Sequence, residues 1–404
     1  MKPEPPPVLC ILDSYRVWGG GQLVSLSNAA GLARRGFTVF LGAQRGGALY
    51  QATEKLLQNE PKLRPYLHLF DFSFGNLSFL NPFKILSLAG FLRRKQVTVL
   101  MPALSRDLKV AVMAVRLLPP VQRPTLYFRR DIAVPVRSGR LNRFFYGALD
   151  GLVVNSRETA RNVLESGRLI SPDKVRVIYN GLDVEKFDRA LATSPASLLP
   201  TFQNQTPLVL GNAGRLSPQK GQKYLLHLSA ALKQQGFRHR LIIAGEGQLK
   251  AELTALATRL GLEAGEGLET DRELCFAGFL EDMAPFWRAI DVFVLTSLWE
   301  GFGYVLAEAM LAEKPVCAFN CNSMPELVLD GQNGWLAEAP GSDETDEAVG
   351  ERLAGIIRRF YAEPETISRM GQTGRAFCLE NFTQVRALDQ LQTFLGLGKV
   401  SGNP

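Results

Sequence analysis

Short apolar runs alternate along this chain with longer segments whose apolar residues recur every three to four positions. Runs at 8–12, 38–42, 97–101, 125–128 and 151–155 read as strands, and a second series follows at 208–213, 240–244, 274–276 and 292–295. Most are continuously apolar instead of alternating, the pattern of strands covered on both faces. Segments 23–35, 224–235 and 248–260 carry the helical period, the first closed by Gly36. This order predicts an α/β protein with parallel, doubly wound sheets under layers of helices. The first strand leads into Trp18-Gly19-Gly20-Gly21-Gln22, a glycine turn where a doubly wound fold places its first loop. Residues 190–207 (ALATSPASLLPTFQNQTP) lack any period and read as a linker. Two Rossmann-like domains facing a cleft are expected, over 1–190 and 191–383, with a last helix at 384–404 packing back on the first.

A chain of 404 residues suits two domains, and 46% hydrophobic with 21% charged residues fits a soluble globular protein. No run approaches the ~18 apolar residues of a spanning helix. The start, MKPEPPPVLCIL, lacks the apolar core of a secretion signal, so a cytoplasmic location is expected. Five cysteines form no CxxC pair and the three histidines stand apart, so neither a disulfide framework nor a metal is expected. The net charge of +7 conceals an asymmetry. Residues 1–200 hold 28 Lys and Arg against 14 Asp and Glu, leaving 18 against 25 for the remainder, or +14 and −7. The basic half suits an anionic membrane surface or a phosphorylated acceptor; nucleic acid has only charge in its favour, with no motif. Residues 79–95 (FLNPFKILSLAGFLRRK) read as a core helix whose basic end could meet phospholipid.

The densest chemistry lies in the second half. Glu300 and Glu308 straddle the turn Gly301-Phe302-Gly303, which follows the strand at 292–295 and opens a helix. Backbone N–H groups at such a helix start attract phosphate, and carboxylates suit sugar hydroxyls. Arg215 and Lys220 add fixed positive charge after the strand at 208–213. A site with cations at one end and carboxylates at the other matches a nucleotide-sugar.

In order, the chain carries Gly19-Gly20-Gly21-Gln22, Asn180-Gly181-Leu182-Asp183, Gly214-Arg215 with Lys220-Gly221, Ala244-Gly245-Glu246-Gly247, Phe276-Ala277-Gly278-Phe279, Glu300-Gly301-Phe302-Gly303 through Glu308, and Lys314-Pro315-Val316. This series resembles the family 4 glycosyltransferases, which have the GT-B fold and retain anomeric configuration. The resemblance implies that Arg215 and Lys220 grip the donor diphosphate in place of a metal. It implies that Glu300 meets the donor sugar and Glu308 the ribose hydroxyls. Gly20, Gly21 and Gly247, with the backbone of Gly301, Phe302 and Gly303, would complete the donor site. Arg215, Lys220 and Glu300 are the catalytic candidates. No cofactor is implied beyond a nucleoside-diphosphate sugar, UDP before GDP, and the acceptor would be a glycan or a lipid-linked glycan. Many members carry a histidine after the strand matching 125–128, where this chain has Arg129-Arg130-Asp131. An arginine there suits a carboxylate or otherwise altered C6 on the donor, such as a uronic acid; acceptor binding and a plain surface pair are the alternatives. The family's Asp and Gly-Gly appear as Asn320 and Asn322-Ser323. The competing readings are a GT-B phosphorylase or epimerase, and a glycan-binding relative that has lost catalysis.

Overall fold

The computed structural model describes residues 6–194 and 208–398. They form two units. The first gathers the described residues up to Gly181 and those from Gln384 onward; the second runs Leu182–Thr383. The expected boundary at residue 190 falls inside a helix, Val184–Thr193, started by Asp183, whose carboxylate accepts from Lys186 N–H at 3.0 Å. This helix belongs to the second unit, tied there by an Arg375–Asp188 ion pair of 2.7 Å. Residues 195–207 of the expected linker lie outside the described residues.

The first unit is a parallel sheet of seven strands: β1 Val8–Asp13, β2 Thr38–Ala43, β3 Leu67–Asp71, β4 Val99–Pro102, β5 Thr125–Arg130, β6 Gly151–Val154 and β7 Val175–Val177. Their order is β3-β2-β1-β4-β5-β6-β7. The second unit repeats the plan with β8 Leu208–Ala213, β9 His239–Ala244, β10 Ala264–Glu266, β11 Leu274–Gly278, β12 Val292–Leu295, β13 Val316–Phe319 and β14 Gly334–Ala337, ordered β10-β11-β9-β8-β12-β13-β14. The central strands are the continuous apolar runs, buried along nearly their whole length. Edge strands β3, β7 and β10 are half exposed and of mixed polarity, so no apolar run announces them.

In each sheet the strand order reverses once, between β1 and β4 and between β8 and β12. Loops leaving neighbouring strands part there in opposite directions and open a crevice, the usual ligand position of such sheets. The glycine turn after β1 differs from expectation. Its helix starts at Gly20, so Gly20 and Gly21 form the first helical turn. Strand β5 likewise runs on through Arg129 and Arg130, which were expected just beyond its end.

The C-terminal helix, Gln384–Phe394, packs against the helix Gly20–Arg34. A Cβ on Gly31 would lie 2.3 Å from Leu388 Cδ1, so glycine is what lets Leu388 reach the core beside Leu32 and Leu391. Among the described residues no helix is long and apolar enough to cross a membrane. Leu388→Ala empties this contact and should cost the first unit about 2–4 kcal/mol. Urea unfolding followed by circular dichroism should show an earlier first-unit transition.

Candidate functional site at the second sheet's switch point

The loops after β8 and β9 meet backbone to backbone. Gly214 N–H donates to Ala244 O at 2.9 Å and Leu216 N–H to Glu246 O at 2.9 Å; from the other side Gly245 N–H donates to Gly278 O, at the end of β11, at 2.7 Å. Gly245 has φ 131°, and a Cβ there would lie 2.1 Å from Gly214 O; one on Gly247 would lie 2.2 Å from Leu216 O. No side chain fits between these loops, which accounts for both glycines.

Past this contact a short turn, Pro218–Lys220, ends at Gly221 in the left-handed conformation (φ 60°), where a Cβ would meet Thr296 O at 2.3 Å. The turn is stitched to the loop after β12. Leu298 N–H donates to Gln219 O at 2.8 Å, Gln219 Nε2 to Trp299 O at 2.8 Å, and Thr296 Oγ1 to Lys220 O at 3.2 Å. These bonds deliver Lys220 to Glu300, and the ammonium and carboxylate form an ion pair, with side chains only 18% and 11% exposed. Ser297 Oγ donates to the same carboxylate oxygen at 2.8 Å. The loop after β13 braces the pair: Ser323 Oγ donates to Glu300 O at 3.2 Å and Asn322 Nδ2 to Leu298 O at 3.2 Å. Pairing and a hydroxyl donor keep two half-buried charges tolerable where an unmatched one would not be.

The other candidates surround this pair on the chain. Arg215 is exposed, its main-chain carbonyl held by Gln222 Nε2 at 3.0 Å. Gly303, with φ 82°, is the N-cap of the helix Tyr304–Leu311. Phe302 turns its side chain into the core, edge-on to Phe382 at 5.3 Å, so only its backbone can face a ligand. Glu308 is the fifth residue of the helix, little more than one turn inside. It stands among the buried Leu306, Ala307, Ala309 and Met310, and burial alone pushes its carboxyl up to about 7. Among the described residues no group of His, Cys, Asp and Glu could hold a metal ion.

In the first unit the candidates are engaged with one another. Arg129, 2% exposed, forms an ion pair with Asp131 and donates to Gly21 O at 3.3 Å. Asp131 thus gives Arg129 a carboxylate from within the chain, while Arg129 Nη1 is buried without a partner. Arg130 donates to Val134 O. Gln22 Nε2 and Ser25 Oγ donate to buried Asp13, at 3.1 and 2.7 Å, fixing the glycine turn from below. Sequence reasoning passed over Asp107, which accepts from Ser14 N–H at 2.9 Å and from Ser14 Oγ at 2.5 Å across the β1–β4 crevice. Its burial raises its carboxyl to about 7, partly offset by the Ser14 bonds. A lone Asp in an apolar helix gave no signal of this. The bonds of Ser297 and Ser323 to Glu300 were also missed, Ser297 standing three residues before it and Ser323 having appeared only as a departure from the family.

Two family models match the chain. "Glycosyltransferase Family 4" covers residues 18–186 and "Glycosyl transferases group 1" covers 207–354. Among curated proteins, the putative glycosyltransferase EpsD of Bacillus subtilis is 31% identical over 45% of this chain and 44% of its own length. A D-inositol 3-phosphate glycosyltransferase of Streptomyces bingchenggensis is 30% identical over 58% of this chain and 50% of its own. The chain thus spans about half the length of the curated relatives it matches. Among solved structures, Anabaena HepE in complex with UDP superposes with a TM-score of 0.75 at 22% identity, covering 96% of this chain and 99% of that one. The fold is GT-B.

The raised carboxyl of Glu308 has a consequence without any ligand. The folded state keeps a proton that the unfolded state releases from pH 4.5 upward, so this group lowers stability as pH rises from about 4.5 through 7. The full cost above pH 7 is on the order of 3 kcal/mol. Glu308→Gln should therefore melt higher than wild type by a margin that grows between pH 5 and pH 8; Asp107 acts in both proteins and cancels. A margin independent of pH would show that Glu308 titrates normally.

Proposed function

We propose that the chain is a retaining, metal-independent glycosyltransferase of family 4, a reading supported by the two glycosyltransferase models that match it and by the site. It moves a sugar from a nucleoside diphosphate to a glycan or lipid-linked acceptor in cell-envelope polysaccharide, lipopolysaccharide or glycolipid synthesis. It works at the cytoplasmic face of the membrane, which the basic first half contacts. HepE, of the same fold, is known with UDP, so UDP is the first nucleotide to try and GDP the second.

The observation that carries this reading is the Lys220–Glu300 pair at the crevice between β8 and β12. As the bond from sugar to phosphate breaks, its electrons pass to the diphosphate. Lys220 and exposed Arg215 stabilise that growing charge most at the transition state. What supports Lys220 in this role is its turn, which is bonded to the loop after β12. Backbone groups of Gly301, Phe302 and Gly303 lie at a helix start, where an anion is favoured. Gly247 holds the loop after β9 against the Leu216 backbone, beside the place proposed for the donor; Gly20 and Gly21 are the first unit's candidates for a donor contact. Glu300 orients the sugar while balancing Lys220. Glu308, with no cation to offset its burial, accepts from the ribose hydroxyls. The acceptor hydroxyl attacks from the face the diphosphate leaves, and its proton passes to the departing phosphate oxygen. Arg129, Arg130 and Asp131 shape the first unit's side of this reaction; a carboxylate on either substrate would compete with Asp131 for Arg129.

The test is a thermal-shift screen of UDP, GDP, ADP, CDP and dTDP in EDTA. One nucleotide should stabilise wild type, and Glu308→Ala should lose most of that shift. With the matching sugar donor, Lys220→Ala should lower kcat by about 100-fold or more. No shift with any nucleotide at millimolar concentration would overturn the reading.

A further inference from the structure

One surface of the first unit has no part in the transfer chemistry. The helix Pro82–Arg94 buries Ile85, Leu88, Ala89 and Leu92, as its period predicts. On its other side Phe83 and Leu86 stand in solvent, 81% and 58% exposed, and the preceding turn presents Leu77 and Leu80 at 71% and 66%. The backbone beneath them is firmly bonded. Asn81 Oδ1 accepts from Phe83 and Lys84 N–H at 3.0 and 3.3 Å, Gly75 N–H donates to Ser78 Oγ at 2.8 Å, and Lys84 Nζ to Ser73 O at 2.9 Å. Phe79, between the exposed leucines, turns the other way, edge-on to Phe145 at 5.9 Å. The turn thus sorts its apolar side chains, packing one and presenting the rest.

Charge indicates what covers them. Between Ser73 and Leu149 the sequence has 13 Lys and Arg and two acids, Asp107 and Asp131. Asp107 is buried against Ser14 and Asp131 is paired with Arg129. No free carboxylate in this stretch offsets the surface cations. Arg93 and Arg94 follow Leu86 by seven and eight residues, which returns them to its face two turns on. Exposed apolar side chains beside exposed arginines suit a headgroup boundary, the former entering the acyl region and the latter meeting anionic headgroups.

We propose that this surface docks the protein on an anionic bilayer. Leu77, Leu80, Phe83 and Leu86 enter the acyl boundary, and Arg93 and Arg94 meet headgroup phosphates. The inference deepens the membrane contact in the proposed function and rests on that part of it, but it needs neither nucleotide nor sugar.

Co-sedimentation of the full chain with phosphatidylcholine vesicles, with and without phosphatidylglycerol, tests it; the UDP thermal shift is read separately on the same proteins. Wild type should pellet with the anionic vesicles and far less with the neutral ones. Phe83→Ser/Leu86→Ser should cut partitioning about tenfold or more, and Arg93→Gln/Arg94→Gln by a similar factor. Both variants should keep the wild-type melting temperature. Equal pelleting of wild type and Phe83→Ser/Leu86→Ser, or indifference to phosphatidylglycerol, overturns the proposal. So does a concentration-dependent self-association that this variant abolishes, which would make the surface an interface between copies. Vesicle binding without a nucleotide shift counts against the transferase alone, and the converse against the docking surface alone.

Discussion

Contact between the loops after β8 and β9 is so close that hydrogen is the only side chain Gly245 and Gly247 can carry. Everything proposed for the second unit depends on that approach. It fixes where Gly214-Arg215-Leu216 leaves the sheet, and hence where the turn Pro218–Lys220 crosses to the loop after β12. Gly221 repeats the device against Thr296 O. Backbone contact is stiffer than side-chain packing because it offers no rotamers to relax. Lys220 and Glu300 are thus brought together by main-chain geometry before any ligand arrives, and a transition state gains most from charges already in position.

The two units spend their polar groups differently. In the first, Arg129, Asp131, Asp13 and Asp107 hold loops, and their partners belong to the chain itself. In the second, Arg215 is exposed, while Glu308 carries a burial penalty that no cation or donor relieves. A carboxyl raised to about 7 by burial alone is poorly matched to its surroundings, which is common at functional sites. Hydroxyls from a ribose would supply the missing donors.

Much of this was legible in the residues. Strands buried on both faces appear as apolar runs, and glycines required by close approach appear as motifs. The second unit's site therefore stood out, from Gly214 to Glu308, together with the helix that Glu308 occupies. Less legible was whatever depended on two segments meeting. The half-exposed edges β3, β7 and β10 have no run to betray them. Asp183 makes a helix of residues whose neighbours resembled a linker. That Arg129 pairs with Asp131 while its Nη1 stays buried without a partner could not be read from sequence, which does not show how the two side chains turn. In the helix Pro82–Arg94 the inward stripe was expected; that Phe83 and Leu86 would remain outside was not, since apolar residues are assigned to a core by default.

The proposed donor site requires Glu308 to read ribose hydroxyls beside a diphosphate held at Lys220. The most direct measurement is calorimetric affinity for UDP and 2′-deoxy-UDP, or the same pair for whichever base binds, on wild type and Glu308→Gln. Wild type should prefer the ribonucleotide by about tenfold, one hydrogen bond to a charged group, and Glu308→Gln should nearly erase the preference. An equal preference in both proteins would contradict it and move the ribose away from Glu308.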